Sequence, residues 1–421
     1  MTERLYYLDP TLLEFDAEVL ECVPEGERIL MRLDRSAFYP TSGGQLFDTG
    51  WAGRENDEVR LRIAEVGEAE NGEVIHFIEP AGMKVGIARG TLMHFAIDAD
   101  RRRDHMEQHT GQHLLSAVFI KMFQAPTVSF HMGDESCTID LDTKGLNDEQ
   151  IRAVEKRANE IIREDAPVSI HFATPEDARA RGVRKIPDHV EGKLRLIEIH
   201  GHDLNACGGT HVARTGEIGA ILLRKAEKVK QGMRVEFVCG GRAIATARRD
   251  FETLTSAAAL FSSHIYEVPV QVRRALDETK AAGKREFKLQ EELAEFIAVR
   301  MVAEAPERGG VRVVKQHFRD RDLNFIKLLA QRIARLENAV ALLACDRPQP
   351  SLVFSQNPRV SQNQAYPGHP TFDCGAAMKE AMATLGGRGG GTRDMAQGGA
   401  PEGADLDKAL TDAEGNFGNK C

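Results

Sequence analysis

Nothing in the opening residues, MTERLYYLDPTLLEFDAEVL, joins a basic flank to a long apolar stretch, because acidic residues interrupt the apolar run. That argues against a signal peptide or a membrane anchor and leaves the cytoplasm as the expected compartment. The seven cysteines, at positions 22, 137, 207, 239, 345, 374 and 421, form no even or regular framework. This argues against a secreted disulfide architecture, and most of the thiols are expected to be reduced and buried. Positive charge is also short. The 55 Lys and Arg stand against 64 Asp and Glu, a net charge of -9, so bulk electrostatics does not hold nucleic acid here and any RNA contact must come from local basic patches. No fixed-period repeat is present.

What is there is the composition of an ordinary soluble protein, 42% hydrophobic and 28% charged over 421 residues. Such a chain buries a sizeable core, divided among two to four domains, of which three are expected. From Leu5 to Phe95, short alternating runs such as ILMRLD, VRLRIAEV and EVIHFIEP, broken by Gly, Pro, Asn and Asp, read as strands. This predicts a barrel-like β domain over 1–97. A helix near Asp104 to Met122, another near Asp148 to Arg163 capped by Asn147 or Asp148, and strands at Leu194 to Ile199 and Arg234 to Cys239 predict an α+β domain over 98–241. An Ala-, Glu-, Lys- and Leu-rich stretch, divided by Pro269, predicts a helical spacer over 242–305. Alternating strand-like and helix-like runs predict a compact α/β domain over 306–421, with a tail that is Gly-rich from Gly386 and then acidic. The overall class is α+β.

His109 and His113 stand four apart in QHTGQHLL, so on a helix both imidazoles leave one face about a turn apart. His105 lies one turn further back, as an alternative ligand or a supporting partner. Cys207 and His211 are also four apart, in NACGGTHVA, but Gly208 and Gly209 between them favour a tight loop over a helix. Either pair alone is a weak signal; two together, about a hundred residues apart, are typical of a site assembled from two elements. One thiolate and three imidazoles suit Zn2+. Four protein ligands serve a structural site as well as a catalytic one, so the ligand count leaves the role open.

The pairing of HTGQH with CGGTH, preceded by FYPTSGGQ at Phe38 to Gln45, resembles the editing domain of alanyl-tRNA synthetase and its free-standing relatives, the AlaX proteins. The tail GGRGGGTRDMAQGG, Gly386 to Gly399, is similar to the DHH-associated C-terminal domain of the long AlaX form. The resemblance covers essentially the whole chain. It implies zinc-dependent hydrolysis of the ester in mischarged tRNA for alanine, chiefly seryl and secondarily glycyl, because a pocket for alanine cannot exclude glycine and rejects one added hydroxyl only weakly. It also implies a homodimer through the C-terminal domain. A chain that starts at the β-rich segment is not expected to charge tRNA. Within the resemblance, Thr41 offers a fixed hydroxyl for the serine hydroxyl, with a simple turn residue as the alternative, and Gln45 orients ester or water or is a structural amide.

Candidate phosphate contacts are Arg101, Arg102 and Arg103 before the metal helix, Lys225, Lys228, Lys230 and Arg234 near the last strands of the α+β domain, and Arg388 and Arg393 in the glycine-rich tail. The tail itself is either a flexible linker or, as its DMAQGG continuation suggests, an ordered loop. Two other functions compete with editing of alanine tRNA: a tRNA-binding module with structural zinc, and a deacylase of another specificity, since threonyl-tRNA synthetase editing domains share the two motifs. FYPTSGGQ and the tail favour the alanine branch.

Overall fold

The computed structural model describes residues 2–53, 60–79, 86–183, 186, 192–308, 310–357 and 372–415. Val59 and Pro80, at the ends of two expected strands, and Cys421 lie outside the described residues. The chain forms two compact units, Met1–Ala257 and Ala258–Cys421. The expected domain break at 97/98 falls inside the first unit and the one at 305/306 inside the second.

The first unit opens with β1 (Glu3–Arg4), β2 (Glu14–Glu25), β3 (Arg28–Leu33), β4 (Arg35–Ser36), β5 (Gly50–Gly53), β6 (Leu61–Glu68), β7 (Val74–Ile78) and β8 (Leu92–Ile97). Six of these close a barrel in the order β2-β3-β7-β6-β5-β8, while β1 pairs in parallel with β4. The period of two that marked these runs is the pleat itself: Phe15, Ala17 and Val19 of β2 are buried and Glu14, Asp16 and Glu18 are exposed. The lumen is filled by side chains such as Leu33, Ile63, Val66, Ile78 and Phe95. One polar group sits among them. His76 is fully buried, with Nε2 2.8 Å from Ser36 Oγ and Nδ1 3.3 Å from the Met31 carbonyl.

The chain leaves the barrel through α1 (Ala99–Phe123), which is buried on polar and apolar faces alike, from Arg102, His105 and Gln108 to Leu114, Leu115 and Phe119. Arg102 corrects an expectation. It is 1% exposed, pairs through its guanidinium with buried Asp48 and donates to the carbonyls of Pro10 and Ala37. A guanidinium so enclosed braces α1 against the barrel and is too buried to reach a phosphate.

Beyond α1 come β9 (Thr127–Met132), β10 (Cys137–Leu141), α2 (Asp148–Glu164), β11 (Val168–Ala173), α3 (Pro175–Ala180), β12 (Leu194–Ile199), β13 (Asp203–Ala206), β14 (Ile221–Val229) and β15 (Gly232–Cys239). They make two antiparallel sheets, β14-β15-β10-β9 and β11-β12-β13. Asn147 is the α2 cap, forming a reciprocal capping box with Gln150, and Val154, Ala158, Ile161 and Ile162 supply the buried face. These pack with α1 and the larger sheet into one core that includes Leu114, Phe119, Ile139, Val235 and Phe237.

Helix α4 (Gly240–Leu260) runs across the boundary between the units, and α5 (Val268–Glu304) belongs to the second. There β16 (Glu307–Arg308), β17 (Val311–Asp322), α6 (Leu323–Ala334), β18 (Ala339–Arg347) and β19 (Ser351–Gln356) are followed by a helix over Cys374–Leu385, then β20 (Arg388–Gly391) and β21 (Met395–Gly399), and a helix over Leu406–Gly415. The sheet order is β16-β17-β18-β19-β21-β20. Among the described residues of this sheet only the β17-α6-β18 unit is parallel and the other pairings are antiparallel, so the expected α/β character holds for one crossover and the rest is α+β. The glycine-rich tail is an ordered edge hairpin rather than a linker. A methyl group at Gly398 would lie 2.5 Å from Met382 Sδ, so the missing side chain at that position lets the Cys374–Leu385 helix come close.

Among the described residues the cysteines at 22, 137, 207, 239, 345 and 374 are free, and no helix is long and apolar enough to cross a membrane.

His76 supplies a pH test of the barrel. Burial disfavours its charged form and lowers its pKa from 6.5 to about 4, against the opposing pull of the Met31 carbonyl. The folded state therefore binds fewer protons than the unfolded state, and the contribution to stability present above pH 6.5 is lost as pH falls toward 4, at about 1.4 kcal/mol per pH unit. Urea unfolding of the wild type and His76→Phe at pH 7 and pH 4.5 is expected to show a smaller pH-dependent loss in the variant. Equal losses would show that His76 is not a source of the acid sensitivity.

Candidate metal centre

Two elements deliver four side chains to one point. Helix α1 presents His109 and His113 from adjacent turns of one face, and the extended loop after β13 presents Cys207 and His211. Their ligand atoms all lie within 4.8 Å of one another, and three of the four residues are buried. Cys207 Sγ is 3.4 Å from His109 Nε2 and 3.3 Å from His211 Nε2. With metal–sulfur and metal–nitrogen bonds of ~2.3 and ~2.0–2.1 Å, the corners of a tetrahedral zinc site are roughly 3.5 Å apart. The observed separations fit that set.

The second nitrogen of His109 and of His211 is hydrogen-bonded and that of His113 lies near a carboxylate, which selects the other nitrogen for the shared point. His109 Nδ1 is 2.7 Å from Gln45 Oε1, His211 Nδ1 is 3.2 Å from Thr110 Oγ1, and His113 Nδ1 is 3.4 Å from Asp203 Oδ2, an ion-pair contact longer than a well-formed hydrogen bond. Phe130 of β9 covers His109, with ring centroids 5.6 Å apart. Backbone geometry is equally specific. Ser42 and Gln45 bridge across Gly43 and Gly44, whose φ values of +57° and +86° suit a two-residue hairpin turn and favour glycine. A methyl group at Gly209 would come within 2.2 Å of His109 Cε1, so the loop reaches the helix only because that side chain is missing.

The electrostatics without a metal are those of a poised ligand set. Burial resists ionisation of Cys207, yet His109 and His211 hold its thiol well below the usual range. Burial also opposes charge on His113, but Asp203 and Cys207 push it up to about 10, whereas burial and His109 push His211 down to about 3. A thiolate at Cys207, a neutral His211 and a displaceable proton on His113 suit a borderline-soft divalent cation, with affinity falling as pH falls.

His105 is not part of the cluster. It is 1% exposed, and burial together with Arg101, Arg242 and Arg102 lowers its pKa to about 3. Of the two readings of Gln45, an orienter of ester or water and a structural amide, its bonds are those of the structural amide. It is fully buried, its Oε1 accepting from His109 Nδ1 and the Thr210 amide and its Nε2 donating to Thr210 Oγ1, so it positions ligands. Thr41 lies four residues earlier, exposed, its amide donating to the Val66 carbonyl at 3.3 Å and its hydroxyl making no hydrogen bond among the described residues.

The basic residues divide by their partners. Arg101 donates to the Phe47 carbonyl and stacks on that ring. Lys225 pairs with Glu227, and Arg234 is held by both oxygens of Asp140. Arg103, Lys228 and Lys230 are exposed and make no ion pair among the described residues; in the second unit the same is true of Arg388 and Arg393. Sequence reasoning missed Asp203, Thr110 and Arg195. The last donates to the carbonyls of Cys207 and Gly209. Each is an isolated polar residue inside a strand or helix, with no spacing that marks it.

Comparison with known proteins accords with this geometry. A family described as "Threonyl and Alanyl tRNA synthetase second additional domain" matches residues 194–235, the segment that carries Cys207 and His211. The "Alanyl-tRNA editing protein AlaX-L" of Pyrococcus horikoshii is 29% identical over 94% of this chain and 94% of its own length. The "Alanine--tRNA ligase" of Methanosarcina mazei is 30% identical over 97% of this chain, which spans 43% of that protein's length. The chain is AlaX-like. A C-Ala domain of Aquifex aeolicus alanyl-tRNA synthetase matches 27% of this chain and 96% of that domain at 18% identity, with a TM-score of 0.23, too low to bear on the fold.

The close approach at Gly209 generates a direct test. Gly209→Ala is expected to weaken zinc binding at least tenfold, read by chelator competition and by elemental analysis after dialysis. Wild-type affinity and stoichiometry in that variant would show that the loop and His109 are not interlocked.

Proposed function

We propose that the chain is a trans-editing hydrolase that deacylates mischarged tRNA for alanine, chiefly the seryl ester and secondarily the glycyl ester, with Zn2+ at His109, His113, Cys207 and His211. The observation that carries the reading is the convergence of those four side chains, each imidazole oriented by its own partner, in a chain similar to AlaX-L along nearly its full length. Bound zinc would supply either polarisation of the attacking water or an anchor for the amino group of the aminoacyl ester. Gln45, Thr110 and Asp203 hold the imidazoles in the orientation this chemistry needs. Thr41 provides the selectivity: its unengaged hydroxyl bonds the serine hydroxyl, which alanine lacks, so the correct ester gains nothing.

The partner is aminoacylated tRNA in the cytoplasm, contacted by Arg103, Lys228 and Lys230, by the less free Arg101, Lys225 and Arg234, and by Arg388 and Arg393 of the tail hairpin. A second copy is a further partner through the C-terminal unit, where α5 exposes Leu276, Phe287, Leu289 and Phe296.

The test offers purified protein seryl-, glycyl- and alanyl-tRNA in parallel, with and without chelator. Rapid loss of the seryl ester, slower loss of the glycyl ester and persistence of the alanyl ester, abolished by chelation and by Cys207→Ala, are expected. Thr41→Val is expected to lower serine-over-alanine selectivity about tenfold, the worth of one hydrogen bond. Zinc retained with no hydrolysis of any ester would favour a binding module with structural metal, and full deacylation by metal-free Cys207→Ala would contradict the mechanism.

A further inference from the structure

Arg195 occupies an unusual position for a guanidinium. It lies on β12, is 6% exposed, and makes no ion pair with a carboxylate among the described residues. Burying a charge without such a partner is costly unless hydrogen bonds satisfy it. Here backbone carbonyls accept from Nη1 and Nε, while Nη2 is buried with no hydrogen-bond partner among the described residues. Nη1 donates to Cys207 O at 2.8 Å and Gly209 O at 2.9 Å, and Nε donates to Tyr7 O at 3.0 Å.

One nitrogen that donates to two carbonyls two residues apart imposes a curl on the peptide between them. That curl turns the Gly209 amide back to Cys207 Sγ, 3.3 Å away, and faces the same sulfur toward His211 Nε2. The far side of the clamp is the N-terminal turn. Arg195 lies over the Tyr7 ring, 5.5 Å from its centroid, and the Tyr7 hydroxyl accepts from Arg4 Nη1 at 2.9 Å. The same hydroxyl closes over Gly208, where an added methyl group would lie 3.3 Å from it. Residues from the start of the chain therefore support a loop two hundred positions later.

We infer that Arg195, backed by Tyr7, is a positioning residue for the metal site: it shapes the Cys207–His211 loop so that thiolate and imidazole are presented together before any ion arrives. This rests on the reading that these four side chains bind a metal. A lysine at 195 keeps the charge but lacks the planar fork that reaches three carbonyls, so the geometry of the guanidinium and not its charge alone is at issue.

Cobalt(II) titration of the full chain, read by the thiolate-to-cobalt and ligand-field absorption bands, tests this, together with zinc competition against a chromophoric chelator. Arg195→Met is expected to bind both ions ~10–100-fold more weakly, as loss of an outer partner of a metal ligand does, with cobalt bands shifted from those of the wild type. Arg195→Lys is expected to recover only part of the affinity, and Tyr7→Leu, which keeps the backbone acceptor, to lose less than Arg195→Met. Wild-type affinity and spectrum in Arg195→Met would overturn the inference. If that variant does not fold, wild-type values in Arg195→Lys would overturn it equally. A wild-type protein that takes up neither ion overturns the metal assignment itself, a result distinct from a metal site indifferent to residue 195.

Discussion

The side chain of Gln45 ties three parts of the chain that are far apart in sequence. Its carbonyl oxygen accepts from His109 on α1 and from the Thr210 amide in the CGGTH loop, and its amide nitrogen donates to the Thr210 hydroxyl. Because Gln45 has no exposure, each of these bonds replaces one to water that cannot form, and breaking any of them leaves a buried polar atom unpaired. The barrel hairpin, the helix and the loop are thus held in mutual register by one amide. The tight turn at Gly43 and Gly44 aims that amide, and the missing side chain at Gly209 admits it.

The site is built around this tie by polar groups buried beyond what a packing core would need. Helix α1 carries Arg102, His105, Gln108, His109, Thr110 and His113 in buried positions, so its apolar periodicity is blurred. Arg102 secures it to the barrel through Asp48, Gln108 bonds the backbone of Cys239 at the end of β15, and Thr110 serves both His211 and the Val212 amide. Removing one member of such a network leaves its partners buried and unpaired, which makes the cluster geometry a property of the whole first unit rather than of two motifs.

How much of this could be read in advance follows from what each residue depends on. The strands of the barrel and the α2 helix were legible because their signals are local: alternation in β2, and the Asn147 cap with Ile161 and Ile162 on one face. The four candidate ligands were legible because their types and four-residue spacings are chemical statements in themselves. Asp203, Thr110 and Arg195 were not, since their roles arise from what the fold brings against them. Arg102 was misread for the same reason. In sequence it is one of three consecutive arginines, and only the approach of Asp48 makes it a buried brace while Arg103 stays exposed. The tail was ambiguous because GGRGGG satisfies both a linker and a closely packed edge strand; the sulfur of Met382 against Gly398 decides it.

The central claim is that one metal ion is held by one sulfur and three nitrogens from α1 and the CGGTH loop. X-ray absorption at the zinc edge of the purified full-length chain measures that directly. The account predicts one zinc per chain with a shell of one sulfur at ~2.3 Å and three nitrogens at ~2.0–2.1 Å. A shell without sulfur, or a chain that retains no zinc, would contradict it.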